Sequence, residues 1–126
     1  MTAVGHLELT LAPHAQSVAR ARAAVLEALP ELDSARLDTV RLLISELVTN
    51  ALRHSDCDEP VELHASWNSC LRVEVVDRGE GFTPAPRAKS LEEHGGYGLL
   101  LVGSLADRWG VETNDCTTVW FELNGA

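Results

Sequence analysis

The chain has 126 residues, 45% of them hydrophobic, and a formal net charge of −9. That length suits one domain over residues 1–126 with a single buried core. The acidic balance argues against nucleic acid or an anionic membrane surface as the main partner, because both attract basic faces.

No basic segment with a long apolar run opens the sequence, and no stretch approaches the ~20 apolar residues of a membrane span. The three cysteines, Cys57, Cys70 and Cys116, are odd in number and widely spaced. They read as reduced thiols in a cytoplasmic protein rather than a disulfide framework. His54 and Cys57 offer two zinc-type ligands, but no second pair has metal-site spacing.

His6 to Leu11 alternates, with Leu7, Leu9 and Leu11 on one side, and predicts a short half-buried strand. An alanine-rich helix follows over 14–29, stopped by Pro30. Asp33 or Ser34 can cap a second helix, since a short side-chain oxygen accepts the free amides of a first turn. Its apolar stripe runs through Leu37, Val40, Leu43, Ile44, Leu47, Val48 and Ala51 to about His54. After the polar stretch 55–60, Val61 to Trp67 and Leu71 to Val76 predict a hairpin around Asn68-Ser69.

Asp77 to Gly95 is rich in glycine, proline and charge without periodicity, and a loop of that length is usually functional. A short apolar helix is expected over Tyr97 to Ala106, then strands over Trp109–Thr113 and Thr118–Leu123 around Asn114-Asp115. Helices gathered on one face of a mixed, mostly antiparallel sheet make a two-layer α/β sandwich.

Three segments could carry chemistry. Glu46 and Asn50 lie four apart, hence one turn apart on one helix face, with Arg53 and His54 continuing near that line. A carboxylate and an amide oxygen are hard ligands suited to Mg²⁺ beside water and phosphate. Glu46 could equally polarise an attacking hydroxyl as a general base, or the pair could be an ordinary exposed helix face.

Asp77 ends an apolar strand and precedes Gly79 and Gly81. A carboxylate there can accept a hydrogen bond from an exocyclic amino group such as adenine's, and the glycines leave room for a flat base. A tight acidic turn is the plainer alternative. Gly95, Gly96 and Gly98 bracket the start of the expected third helix, where free amides and the helix dipole attract phosphate. A flexible loop joined to a helix would look the same. Thr117 and Thr118 stand at a strand start, where they can approach a nucleotide or satisfy a turn. Trp67, Trp109 and Trp120 fall on strands and read as packing residues. His6, His14 and His64 read as surface residues.

In order, these segments resemble the N, G1 and G2 boxes of the ATPase fold (the Bergerat fold) shared by histidine kinases, gyrase, Hsp90 and mismatch-repair proteins. The resemblance spans roughly residues 33 to 123. Within that superfamily the chain is most similar to small bacterial anti-sigma-factor serine-protein kinases and their actinobacterial single-domain relatives. Arg41-Leu-Leu-Ile-Ser-Glu-Leu-Val-Thr-Asn-Ala-Leu-Arg-His54 resembles their N box. Gly95-Gly-Tyr-Gly-Leu-Leu-Leu-Val102, Leu105-Ala-Asp-Arg-Trp-Gly110 and Thr118-Val-Trp-Phe-Glu-Leu123 are similar to their C-terminal half.

The resemblance implies Glu46 as the base or hydroxyl-orienting residue and Asn50 as the Mg²⁺ ligand, with Arg53 and His54 beside the nucleotide. It implies Asp77 on the adenine amino group, Gly79 and Gly81 shaping that pocket, and Gly95, Gly96, Tyr97, Gly98 and Leu99 near the phosphates, with Thr118 completing the ATP site. It further implies phosphorylation of a serine or threonine on an anti-anti-sigma antagonist, alternating with capture of a sigma factor, commonly from a homodimer. Two departures stand out. Relatives often carry arginine at the second glycine box, where this chain has His94 and Tyr97. Their glycine-lysine before the last strand is here Asp115-Cys116. Both remove positive charge near the phosphates; Arg78, Arg87 and Lys89 are the basic residues left to compensate.

Overall fold

The computed structural model describes residues 4–29, 32–54, 60–77, 102–113 and 116–124. The elements run β1 (Gly5–Leu11), α1 (Gln16–Ala28), α2 (Ser34–His54), β2 (Val61–Trp67), β3 (Cys70–Asp77), β4 (Arg108–Thr113) and β5 (Thr117–Asn124). Residues 102–105 form a helical turn, closed by Ala106 N donating to the Val102 carbonyl at 2.8 Å. The rest of the expected third helix, and the whole expected loop after Asp77, lie outside the described residues.

The strands form one sheet in the order β1-β2-β3-β5-β4, and every described pairing is antiparallel. Alternation divides that sheet into two unlike faces. On β3 and β5 the odd-numbered residues Leu71, Val73, Val75, Val119, Phe121 and Leu123 are buried with Val61, Leu63 and Ala65 of β2. Against them pack α1, through Ala21 and Val25, and α2, through Val40, Leu43, Ile44, Leu47, Val48 and Ala51. The opposite face carries charge: Arg72 bridges Glu74 at 2.9 Å and Glu122 at 2.8 Å, and its guanidinium lies 4.2 Å from the Trp120 ring centre. Gly110 lets Trp120 lie flat there, since a Cβ at that position would meet Cζ2 of the ring at 2.8 Å.

The local signals work as chemistry predicts. Asp33 caps α2, its Oδ1 accepting from Arg36 N at 2.8 Å and its carbonyl from Leu37 N at 3.0 Å. Asn68 turns the β2–β3 hairpin, its Oδ1 accepting from Cys70 N at 3.0 Å. No helix among the described residues is long and apolar enough to cross a membrane.

The direction of α2 matters most for function. Its first turn is tied to one end of the sheet, where Arg36 Nη1 donates to the Asn124 carbonyl at 2.9 Å. Asn124 pairs with Cys70, so that end holds the start of β3 and the end of β5. From Arg36 to Asn50 the helix advances about 21 Å, and from Cys70 to Asp77 the strand advances about 23 Å. Since α2 packs along β3, the C-terminal turns of the helix and the C-terminal end of β3 reach the same end of the molecule.

Candidate functional site

Among the described residues four polar side chains are buried: Ser17 at 5% exposure, Asn50 at 5%, Asp77 at 5% and Thr117 at 6%. Ser17 is accounted for locally, its hydroxyl donating to the Ala12 carbonyl at 2.7 Å. The other three gather at one end of the fold. Asp77 is the last inward position of the series Leu71-Val73-Val75-Asp77, and Thr117 is the first of Thr117-Val119-Phe121-Leu123. The two face each other directly in the β3–β5 register, and Val61 stands opposite Asp77 on the other side. Opposed side chains on one face have Cβ atoms about 4.5–5.5 Å apart.

Asn50 continues the buried line of α2 that runs Leu43-Leu47-Asn50. At each of the three positions the fold's own pattern asks for an apolar residue, and the chain supplies a carboxamide, a carboxylate and a hydroxyl. Burying such groups is costly unless they are hydrogen-bonded, so these three core positions are the candidates for polar recognition. Glu46 lies one turn before Asn50 at the half-exposed rim of the same helix, and Arg53 is exposed on the last turn. His54 is the last helical residue.

Thr118 stands apart. It pairs with Val76 and therefore lies on the face away from the helices, whereas Thr117 shares the helix-side face with Asp77. The signal was present in the odd-numbered alternation through Val119, Phe121 and Leu123; starting the strand at Thr118 hid it. Gly79, Gly81, Gly95, Gly96, Tyr97, Gly98 and Leu99 lie outside the described residues, as do His94 and Asp115.

The donor set fits a magnesium nucleotide. Glu46 and Asn50 provide oxygen ligands of the hard kind Mg²⁺ takes alongside phosphate and water. The described residues contain no group of three or more His, Cys, Asp and Glu that would hold a metal alone. A magnesium ion held by Glu46 and Asn50 would take phosphate and water oxygens as its other ligands. Asp77 offers an acceptor at the floor of the site, and Thr117 beside it can both donate and accept.

A family model described as a histidine kinase-like ATPase domain matches residues 8–123. The chain belongs to that family, and ATP is the ligand its domain implies. Among individual relatives, the chain is 34% identical over 86 residues to an uncharacterized sensor-like histidine kinase of Chloroflexus aurantiacus, a match covering 60% of this chain and 14% of that protein. Among solved structures it resembles the crystal structure of the RsbU and RsbW domains of Rv1364c from Mycobacterium tuberculosis. That likeness has a TM-score of 0.75 and 21% identity, over 96% of this chain and 32% of that one. The chain thus spans a small part of each relative's length, and what they share is the α/β fold.

Proposed function

We propose that the protein is a Mg-ATP-dependent regulatory kinase that acts as an anti-sigma factor, transferring phosphate to a serine or threonine of an anti-anti-sigma antagonist. The observation that carries the nucleotide part is the buried trio Asn50, Asp77 and Thr117 at one end of the sheet. The kinase part is supported by the N-box resemblance and by an RsbW domain in the structural relative. Asp77 accepts from the purine amino group, with Thr117 supporting it from the neighbouring strand. Asn50 supplies a metal oxygen at the phosphate side. A magnesium ion held there would neutralise charge on the phosphates.

Glu46 then receives the proton of the partner hydroxyl as its oxygen bonds to the γ-phosphorus and the bridging oxygen leaves with ADP. The partners of this reading are a sigma factor and an antagonist protein, and the active species is a homodimer. A second reading rests on His94 and Tyr97 where relatives carry arginine, and on Asp115-Cys116 in place of glycine-lysine. With less positive charge at the phosphates, the protein is a nucleotide-gated binding module that selects partners with little transfer.

Incubation with labelled Mg-ATP and the antagonist-type proteins encoded in the same genome decides between them. Label on a partner serine or threonine, lost in Glu46→Ala and Asn50→Ala, is the kinase result. ATP binding with every partner unlabelled leaves the gated module. No affinity for any adenine nucleotide removes both.

A further inference from the structure

Among the described residues, Val4, Leu42 and Trp109 are the large hydrophobic side chains left exposed. Val4 leads into β1, and Trp109 leans on Gly103, where a Cβ would meet its Nε1 at 3.1 Å. Leu42 differs: it projects at 40% exposure from the middle of α2. A single exposed leucine is ordinary on a protein surface, but its neighbours are not. Residues three and four further along a helix share its face, and here they are Ser45 and Glu46.

Ser45 carries an arginine from the other helix. Arg22 of α1 donates through Nη1 to Ser45 Oγ at 3.1 Å, and Ser45 Oγ donates to the Arg41 carbonyl at 2.8 Å. The tie holds a half-buried guanidinium next to the half-exposed Glu46 and spends one of its five donors. The distribution of charge favours the same side. Helices α1 and α2 carry five arginines against three acids, whereas the five strands carry six acids against two arginines. Both of those strand arginines are bound to Glu122. In a chain of net charge −9, an acidic partner is drawn to the helix layer, the layer that presents Glu46.

We infer that Leu42 and Arg22 select the phosphoacceptor: an acidic segment that sets an apolar residue on Leu42 and an Asp or Glu on Arg22, with its hydroxyl at Glu46. The spacing follows from the helix. Four residues at about 1.5 Å each put Glu46 about 6 Å beyond Leu42, a span that an extended segment covers in about two residues. The apolar residue therefore stands two positions from the serine or threonine. Seated there, the hydroxyl gives its proton to Glu46 as its oxygen bonds to the γ-phosphorus of ATP and ADP leaves with the bridging electrons. Leu42 and Arg22 govern which partner docks and leave ATP binding to the buried end of the site.

This rests on the kinase reading and adds to it the chemistry of the segment that is phosphorylated. The test uses the intact chain, labelled Mg-ATP and an antagonist-type protein of the same genome that it labels, with the partner concentration varied. Leu42→Lys should raise KM for the partner about tenfold, through lost apolar contact. Arg22→Gln should raise it by a similar factor of about ten, the value of a hydrogen bond to a charged group. In both variants kcat, ATP affinity and circular dichroism should match the parent chain. Arg22→Glu should abolish labelling, and changing to lysine the partner's acidic residue beside the labelled hydroxyl should restore it.

An unchanged partner KM in either Leu42→Lys or Arg22→Gln overturns the inference and leaves the kinase reading standing. So does a loss that falls on kcat or on ATP affinity instead of partner KM, since that would place the residue in the transfer step or the nucleotide site. If the parent chain labels no partner, the proposed function falls and the inference falls with it.

Discussion

The two ends of the sheet use polar residues in opposite ways. At the Asn124 end they join elements and are largely exposed. Arg36 reaches the Asn124 carbonyl, Asn124 N donates to Asp107 Oδ2 at 2.6 Å, and Asp107 N donates to the Glu122 carbonyl at 2.9 Å. Arg108 completes the set with Glu122. These contacts tie the first turn of α2, the turn before β4 and the last strand together. At the Asp77 end, the polar side chains are buried at positions where the alternating and helical patterns call for apolar residues. Polar groups that hold a protein together sit at its surface and face one another. Asn50, Asp77 and Thr117 occupy core positions instead, the placement by which active-site residues commonly cost stability.

The largest effect should come from the site end. Asp77→Asn removes the charged acceptor while keeping its shape, and affinity for ATP should fall about 10- to 100-fold, the value of a hydrogen bond to a charged group. Isothermal titration with ATP and GTP measures it, and unchanged adenine preference would refute the role of Asp77.

The next effect separates neighbours. Thr117→Val should lower ATP affinity about fivefold, for one neutral hydrogen bond, while Thr118→Val, on the far face, should leave it unchanged. Equal losses would mean that the face on which each threonine lies does not decide its role.

The smallest effect lies at the opposite end. Hydrogen bonds from Arg108 and then Arg72 hold the Glu122 carboxyl below its ordinary value. A lowered folded-state value means that ionised Glu122 stabilises the fold above the unfolded-state value. That contribution is lost as pH falls through the depressed one. Glu122→Gln should therefore cost about 1 kcal/mol or less at neutral pH, as for partly exposed ion pairs. The difference from the parent chain should shrink in urea titrations as pH drops below the ordinary carboxylate range, and ATP affinity should not change. A difference that persists at acid pH would show that packing, not charge, is responsible.

Much of this was legible in the residues. Period-two alternation placed β1 and β3, turn residues placed the strands paired around Asn68-Ser69 and Asn114-Asp115, and the stripe from Leu37 to Ala51 placed α2. Boundaries were less certain. α1 begins at Gln16, two residues after the reading at His14, since no side chain caps its start and Ala15 stands at the N-cap. The sheet, expected to be mixed and mostly antiparallel, is antiparallel in every described pairing.

Sequence alone pointed to the five strands and two long helices described, the candidate residues Glu46, Asn50 and Asp77, and the family likeness, because each is written in local spacing. Tertiary structure decided what those residues share. Only the Arg36–Asn124 tie and the run of α2 along β3 bring Asn50 to the end of the sheet that holds Asp77. Only the β3–β5 register chooses Thr117 over Thr118 as its neighbour. Both depend on contacts between residues far apart in the chain, and no short window of sequence contains both partners.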